Sequence, residues 1–186
     1  MVSRSSQDIL DDVVQLEKFG INEIILIAQD STAYGRDLGL HDSLPDLLLS
    51  IQDAAPNIPW IRIMYTFPGS ISERLIEVIA SSNQIVPYLD IPLQHAHPNT
   101  LKRMRRPSDM HSVKETLQKM RTEVPNLALR TTFIVGFPGE TEAEFAALVE
   151  FAKEIEFDHV GIFPYYHEPH TAAFQLSDDV PENVKD

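Results

Sequence analysis

Five short apolar runs, each separated from the next by a stretch of helical periodicity, constrain this chain more than any other feature. The expected strands are residues 23–28, 60–65, 88–93, 128–135 and 160–165. The expected helices are residues 6–19, 45–55, 70–80, 99–105, 111–123 and 141–156. Regular alternation of this kind predicts a parallel sheet, with right-handed crossovers placing the helices outside. The run at 23–28 is nearly all apolar, as expected of a strand covered on both faces. Because a helix comes first, the opening strand of the series is missing. The expected fold is therefore α/β: a partial parallel (βα) barrel, an incomplete TIM-like core of about five strands.

Local signals sharpen these boundaries. Gly20 reads as a helix terminator, and Pro45 fits a first helical turn. Ser70-Ile71-Ser72-Glu73 and Thr141-Glu142-Ala143-Glu144 both have capping-box spacing. Pro92 suggests a strand end or a bulge, and Pro107 ends a helix. The densest signal is residues 131–141, Thr-Thr-Phe-Ile-Val-Gly-Phe-Pro-Gly-Glu-Thr. It reads as a buried strand, a glycine–proline turn and a helix start, which offers backbone groups at the carboxyl end of a strand. Ligands of parallel α/β folds bind at that end.

In a parallel sheet the strand-end residues share one rim. Here they are Gln29 and Asp30; Thr66; Gln94 and His95; residues 136–140; and residues 165–167. Such amides, carboxylates and imidazoles can hydrogen-bond a polar ligand, or simply cap the strand ends. Arg130 lies within a strand, sharing a face with Thr132, Ile134 and Gly136. Its fork suits a ligand carboxylate or a structural ion pair with a residue such as Asp90. The histidine pairs 95/97 and 167/170 fall short of the three or four converging ligands a metal needs, so no metal residue is assigned. Lys102, Arg103, Arg105 and Arg106 suit a solvated helix carboxyl end or a docking patch. There is no nucleophile elbow, Walker loop or dinucleotide fingerprint, and no catalytic residue is assigned.

Composition excludes further classes. The chain has no cysteine, which removes disulfides and thiolate-held iron–sulfur clusters. Its formal net charge is −13, from 28 acidic and 15 basic residues, so strong nucleic-acid binding is not expected. No apolar run reaches the roughly 20 residues of a membrane span, no signal peptide is expected, and a cytoplasmic location follows by exclusion.

Five segments occur together and in order: 27–35 (Ile-Ala-Gln-Asp-Ser-Thr-Ala-Tyr-Gly), 88–95 (Tyr-Leu-Asp-Ile-Pro-Leu-Gln-His), 104–107 (Met-Arg-Arg-Pro), 130–141 and 161–165 (Gly-Ile-Phe-Pro-Tyr). They resemble the radical S-adenosylmethionine methylthiotransferases. The versions at 28–30 and 94–95 favour the branch that modifies an aspartate of a small-subunit ribosomal protein over the tRNA-directed branch. The resemblance implies a barrel that binds S-adenosylmethionine and a 4Fe-4S cluster, whose 5′-deoxyadenosyl radical opens the substrate C–H bond for insertion of a methylthio group. It assigns Gln29 and Asp30 to the methionine part of the ligand, Gln94 to the ribose and Arg130 to the carboxylate. Ile134 and Gly136 fall beside the adenine, Glu140 supports their turn, and the backbone of Phe163 to Tyr165 reaches the adenine edge.

The family's three-cysteine motif has no counterpart. The expectation is a barrel domain over residues 1–175, a tail over 176–186 toward a further domain, and no radical activity for this chain alone. A bare sheet edge invites an edge-strand homodimer. A non-enzymatic module that binds a metabolite or protein at the rim is the alternative of a different class.

Overall fold

The computed structural model describes residues 2–185, which divide into two compact units. The first takes in the residues up to Ile91 together with Gln118–Ala128; the second takes in Pro92–Leu117 and the residues from Leu129 onward.

The first unit alternates α1 (Ser6–Lys18), β1 (Glu23–Leu26), α2 (Leu44–Ala54), β2 (Trp60–Ile63), α3 (Glu73–Ser81) and β3 (Ile85–Asp90). Ser5 starts α1 by accepting the Asp8 N–H at 3.2 Å. Strands β1 and β2 pair in parallel from Glu23 with Trp60 to Leu26 with Ile63. Ile61 and Leu89 of the sheet, with Leu48 and Ile51 of α2 and Leu75 of α3, are almost wholly buried. Met120, Val124 and Leu127 add to this unit's buried side chains.

Three sequence expectations need correction here. The third strand is Ile85–Asp90, three residues earlier than expected, and it contains Pro87. Ile61 pairs with Ile85 and Ile63 with Leu89, so the register shifts between these pairs and the proline sits in the irregular stretch. The cap of α3 is Ser72, which accepts the Leu75 N–H at 3.0 Å; Ser70 belongs to a preceding 3-10 turn. The run at 23–28 is covered on one face only: Ile24 is buried, but Ile25 is 49% and Ile27 69% exposed.

The second unit contains α4 (Pro98–Arg103), β4 (Ala128–Val135), α6 (Glu142–Ile155), β5 (His159–Pro164) and the short α7 (Glu182–Lys185). The residues of α5 (Met110–Glu123) divide between the two units. Strand β4 alternates as its sequence requires: Leu129, Thr131, Phe133 and Val135 are buried, while Arg130, Thr132 and Ile134 are half-buried. It pairs in parallel with β5 from Arg130 with His159 to Val135 with Pro164. Phe133 meets the Phe157 ring edge-on, with centroids 6.0 Å apart.

Candidate functional site

Strand β4 ends at Val135, and the chain turns through Gly136-Phe137-Pro138-Gly139-Glu140 into α6. Two positions in this turn require glycine. Gly136 has φ 71° and Gly139 φ 75°, the left-handed region that other residues enter only under strain. At Gly136 space is also closed, since a Cβ there would lie 2.5 Å from Lys185 Cγ.

The turn is held by its own residues and by distant ones. Glu140 donates its N–H to the Phe137 carbonyl at 2.8 Å, and its carboxylate accepts the Phe137 N–H at 3.1 Å. Thr141 and Glu144 close the expected capping box: the Thr141 hydroxyl accepts the Glu144 N–H at 3.3 Å, and the Glu144 carboxylate accepts the Thr141 N–H at 3.0 Å. Arg103 of α4 grips the assembly. Its guanidinium donates to both Glu144 oxygens, at 3.2 and 2.7 Å, and to the Pro138 carbonyl at 3.0 Å. Burial alone would raise the Glu144 pKa, but the Arg103 hydrogen bonds and the Thr141 N–H outweigh it and hold the carboxyl below its usual range. Arg103, read from sequence as part of a helix-end basic run, is thus a clamp, while Lys102, Arg105 and Arg106 are exposed.

His95 is fully buried. Its Nδ1 accepts the His97 N–H at 2.9 Å, which puts the imidazole proton of the neutral ring on Nε2, 3.7 Å from Glu140 Oε1. His97 in turn caps α4 through Asn99 N–H at 3.3 Å. The His167 Nδ1 lies 3.2 Å from the Tyr165 hydroxyl, with its ring against Phe174. Among the described residues no three potential ligands gather as a metal site.

Six of the expected ligand residues, Gln94, Ile134, Gly136, Glu140, Phe163 and Tyr165, lie at this end of the second unit. Gln94 forms an isolated parallel bridge with Phe133, donating its N–H to Thr132 O and accepting the Ile134 N–H, both at 2.8 Å. It does so at φ 71°, a strained value for a residue with a side chain. Ile134 is the register partner of Phe163, which is apolar yet 57% exposed. Beyond them lie Gly136, the Glu140-held turn and Tyr165, whose N–H reaches Val135 O at 2.8 Å. Burial, then the Asp178 charge, pushes the Tyr165 pKa up. Arg130 shares the face but lies some six residues, or about 20 Å of strand rise, before the turn.

On the first unit, Gln29 is exposed and Asp30 is half-buried. The Asp30 carboxylate accepts the Thr32 N–H at 3.0 Å and so caps a 3-10 turn, Ser31–Ala33. Thr66 is buried and bonds the Asp90 carbonyl through its N–H, at 2.9 Å, and its hydroxyl, at 3.1 Å.

Sequence reasoning missed the braces Arg103, Asp179 and Lys185. Two of them lie near α7: Asp179 accepts the Gly139 N–H at 2.7 Å, and the Lys185 side chain is wholly buried. The lone signal was an acidic, proline-containing stretch closing on a lysine.

Parallel strands alternating with helices, with a glycine turn at a strand end, define an α/β barrel-type fold. The chain belongs to the radical SAM superfamily, whose family model matches residues 1–152. Within that superfamily it is RimO-like: it is 49% identical over 184 residues to the ribosomal protein uS12 methylthiotransferase RimO of Roseiflexus sp. (strain RS-1), covering 99% of this chain and 39% of that protein. The chain thus spans less than half the length of the curated relatives it matches. Two solved structures share the fold. The radical S-adenosylmethionine methyltransferase TsrM from Kitasatospora setae has a TM-score of 0.67 at 16% identity, over 87% of this chain and 31% of that one. Coproporphyrinogen III oxidase (HemN) from Escherichia coli has a TM-score of 0.64 at 15% identity, over 100% of this chain and 44% of that one. The fold is α/β, an incomplete parallel (βα) barrel of five strands.

With no cysteine, this chain offers no thiolate to the 4Fe-4S cluster that its family implies, and the cluster does not fit it. The residues the resemblance assigns to an adenosyl group do adjoin in the second unit: Ile134 with Phe163, Gln94 at its strained φ, and the glycine turn. No helix among the described residues is long and apolar enough to cross a membrane.

Proposed function

We propose that this chain is the S-adenosylmethionine-binding portion of a methylthiotransferase that modifies an aspartate of ribosomal protein uS12, and that the chain alone has no radical activity. The observation that carries the reading is 49% identity along 99% of the chain to a uS12 methylthiotransferase. The second unit's geometry supports its part in this reading. Ile134 and Phe163 offer adenine an apolar shelf, with Gly136 and the Tyr165 backbone at its edge. Gln94, fixed through both backbone groups, presents its amide to the ribose. Arg130, further along the same face, supplies a guanidinium for a carboxylate. Glu140 keeps the turn's backbone in place rather than touching ligand. The chain's net charge of −13 also suits a basic protein substrate better than a nucleic acid.

Two measurements test this. Iron and sulfide added to the purified chain are expected to give no cluster absorption and no 5′-deoxyadenosine; robust formation of either overturns the inactivity. Residues 2–185, exchanged for the matching segment of the Roseiflexus relative, are expected to retain methylthiolation of uS12. A chimera that folds and holds its cluster but leaves uS12 unmodified rejects the substrate assignment, and modification of tRNA instead moves it to the sister branch. The edge-strand homodimer is a further part of the proposal, supported by β1, which ends the strand order and pairs only with β2 among the described residues. Sedimentation that stays monomeric up to high concentration removes it.

A further inference from the structure

The segment around α7 does more than follow the barrel. Asp179 reaches back 40 residues to hold the Gly139 N–H at 2.7 Å, a charge-assisted hydrogen bond to the centre of the glycine turn. Lys185 occupies the space beside Gly136: its Cγ, Cδ and Cβ are the nearest atoms to the position a Gly136 side chain would take. Its ammonium lies 5.6 Å from the Tyr165 ring centroid and bonds both Asp178 oxygens, at 3.0 and 2.9 Å, and Glu182 at 3.2 Å. Val180, Pro181 and Val184 line one wall of a cavity of about 850 Å³, with Phe145, Leu148 and Ile162 among the other walls. The segment therefore touches the turn at Gly136 and Gly139, and the residue after β5 at Tyr165.

We propose that residues 178–185 form a positioning strut for the glycine turn, with Asp179 and Lys185 as positioning residues that set the turn's affinity for an adenosyl ligand. This rests on reading that turn as the adenosyl site. The physical reason is preorganisation. A turn whose N–H groups and left-handed glycines are already fixed loses less freedom on binding than one that must order around the ligand. Burial alone would lower the Lys185 pKa, but Asp178 and Glu182 outweigh it and raise it, so the ammonium stays charged and paired.

The test uses the isotopically labelled chain, titrated with S-adenosylhomocysteine while the Gly136 and Gly139 amide resonances are followed by NMR. Amide exchange at Gly139 is measured alongside. Asp179→Ala is expected to speed Gly139 exchange about tenfold and to weaken binding roughly threefold to tenfold, with Asp179→Asn recovering most of both. Lys185→Met keeps the stem and removes the charge; it is expected to weaken binding by about threefold, and to lower the unfolding midpoint as well, because it leaves Asp178 without its partner. Unchanged Gly139 exchange in Asp179→Ala overturns the strut. Faster exchange with unchanged affinity shows the strut to be structural only and overturns its role in binding. If the native chain shifts no Gly136 or Gly139 resonance at millimolar ligand, the adenosyl reading itself fails and takes this inference with it.

Discussion

Two strand-end turns, the loop after β1 and the turn after β4, differ in composition and in what holds them. After β1 local and distant bonds mix: Asp30 caps its own short 3-10 turn, while Ser31 bonds the neighbouring strand end at Met64 O and Tyr65 O, Gly35 and Asp37 meet Ser3, and Gln29 is left exposed. After β4 the turn is gripped from outside by Arg103, Asp179 and Lys185, with buried His95 facing Glu140. A turn with two left-handed glycines is braced from several segments, which hold a backbone that has few conformations open to it.

The strongest way to break this contrast is Arg103→Ala. It leaves Glu144, whose side chain is 9% exposed, without its fork and frees the Pro138 carbonyl. Arg103 is itself 29% exposed, so the loss falls below that of a fully buried pair, at about 2 kcal/mol in denaturant unfolding. Arg103→Lys recovers little, since an ammonium cannot span both oxygens and the carbonyl. A cost under about 0.5 kcal/mol would make the two turns equivalent in kind.

Thr141→Ala comes next. It removes the hydroxyl half of the capping box while leaving Arg103 on Glu144, and is expected to cost about 1 kcal/mol. Together, Arg103→Ala and Thr141→Ala share Glu144 as a partner, so their effects are expected to be non-additive; strict additivity would mean that clamp and cap act independently.

These two residues also mark what the sequence could disclose. Thr141 was legible: hydroxyl, spacing and the helical pattern behind it are local, and the strand at 128–135 matched the observed β4 residue for residue. Arg103 was visible only as one cation in a run, because its partner lies 41 residues away. Lys185 was hidden for the same reason, and its stretch carries no periodicity to announce a packed element. The strand at Ile85–Asp90 was displaced in the reading because Pro87 suppresses a strand signal that a register shift accommodates. The motifs identified the family and the turn; the bracing is a property of the folded chain alone.

A smaller effect appears with pH. The Glu144 carboxyl is held below its unfolded value: burial opposes ionisation, but Arg103 and the Thr141 N–H favour it more. A depressed carboxyl contributes stability that is fully present above the unfolded glutamate pKa and is lost as pH falls through the folded one. Stability is thus expected to decline from the ordinary glutamate range downward, and Glu144→Gln is expected to flatten part of that decline. Acid unfolding curves for the two proteins that run parallel would show that Glu144 makes no such contribution.

The smallest effect tests the other side of the contrast. Asp30→Ala removes a carboxylate that caps only the three-residue turn Ser31–Ala33. Ser31 keeps its bonds to Met64 O at 2.6 Å and Tyr65 O at 2.9 Å, so the loop stays tethered to its neighbouring strand end. The expected cost is about 0.5 kcal/mol, the low end for a lost cap, with faster amide exchange confined to Thr32. Asp30→Asn, which still offers an accepting oxygen, is expected to recover most of it. A cost near that of Arg103→Ala would mean that this loop too depends on a single irreplaceable brace. The difference between the turns would then lie in how far away the brace is drawn from, not in how much the turn needs one.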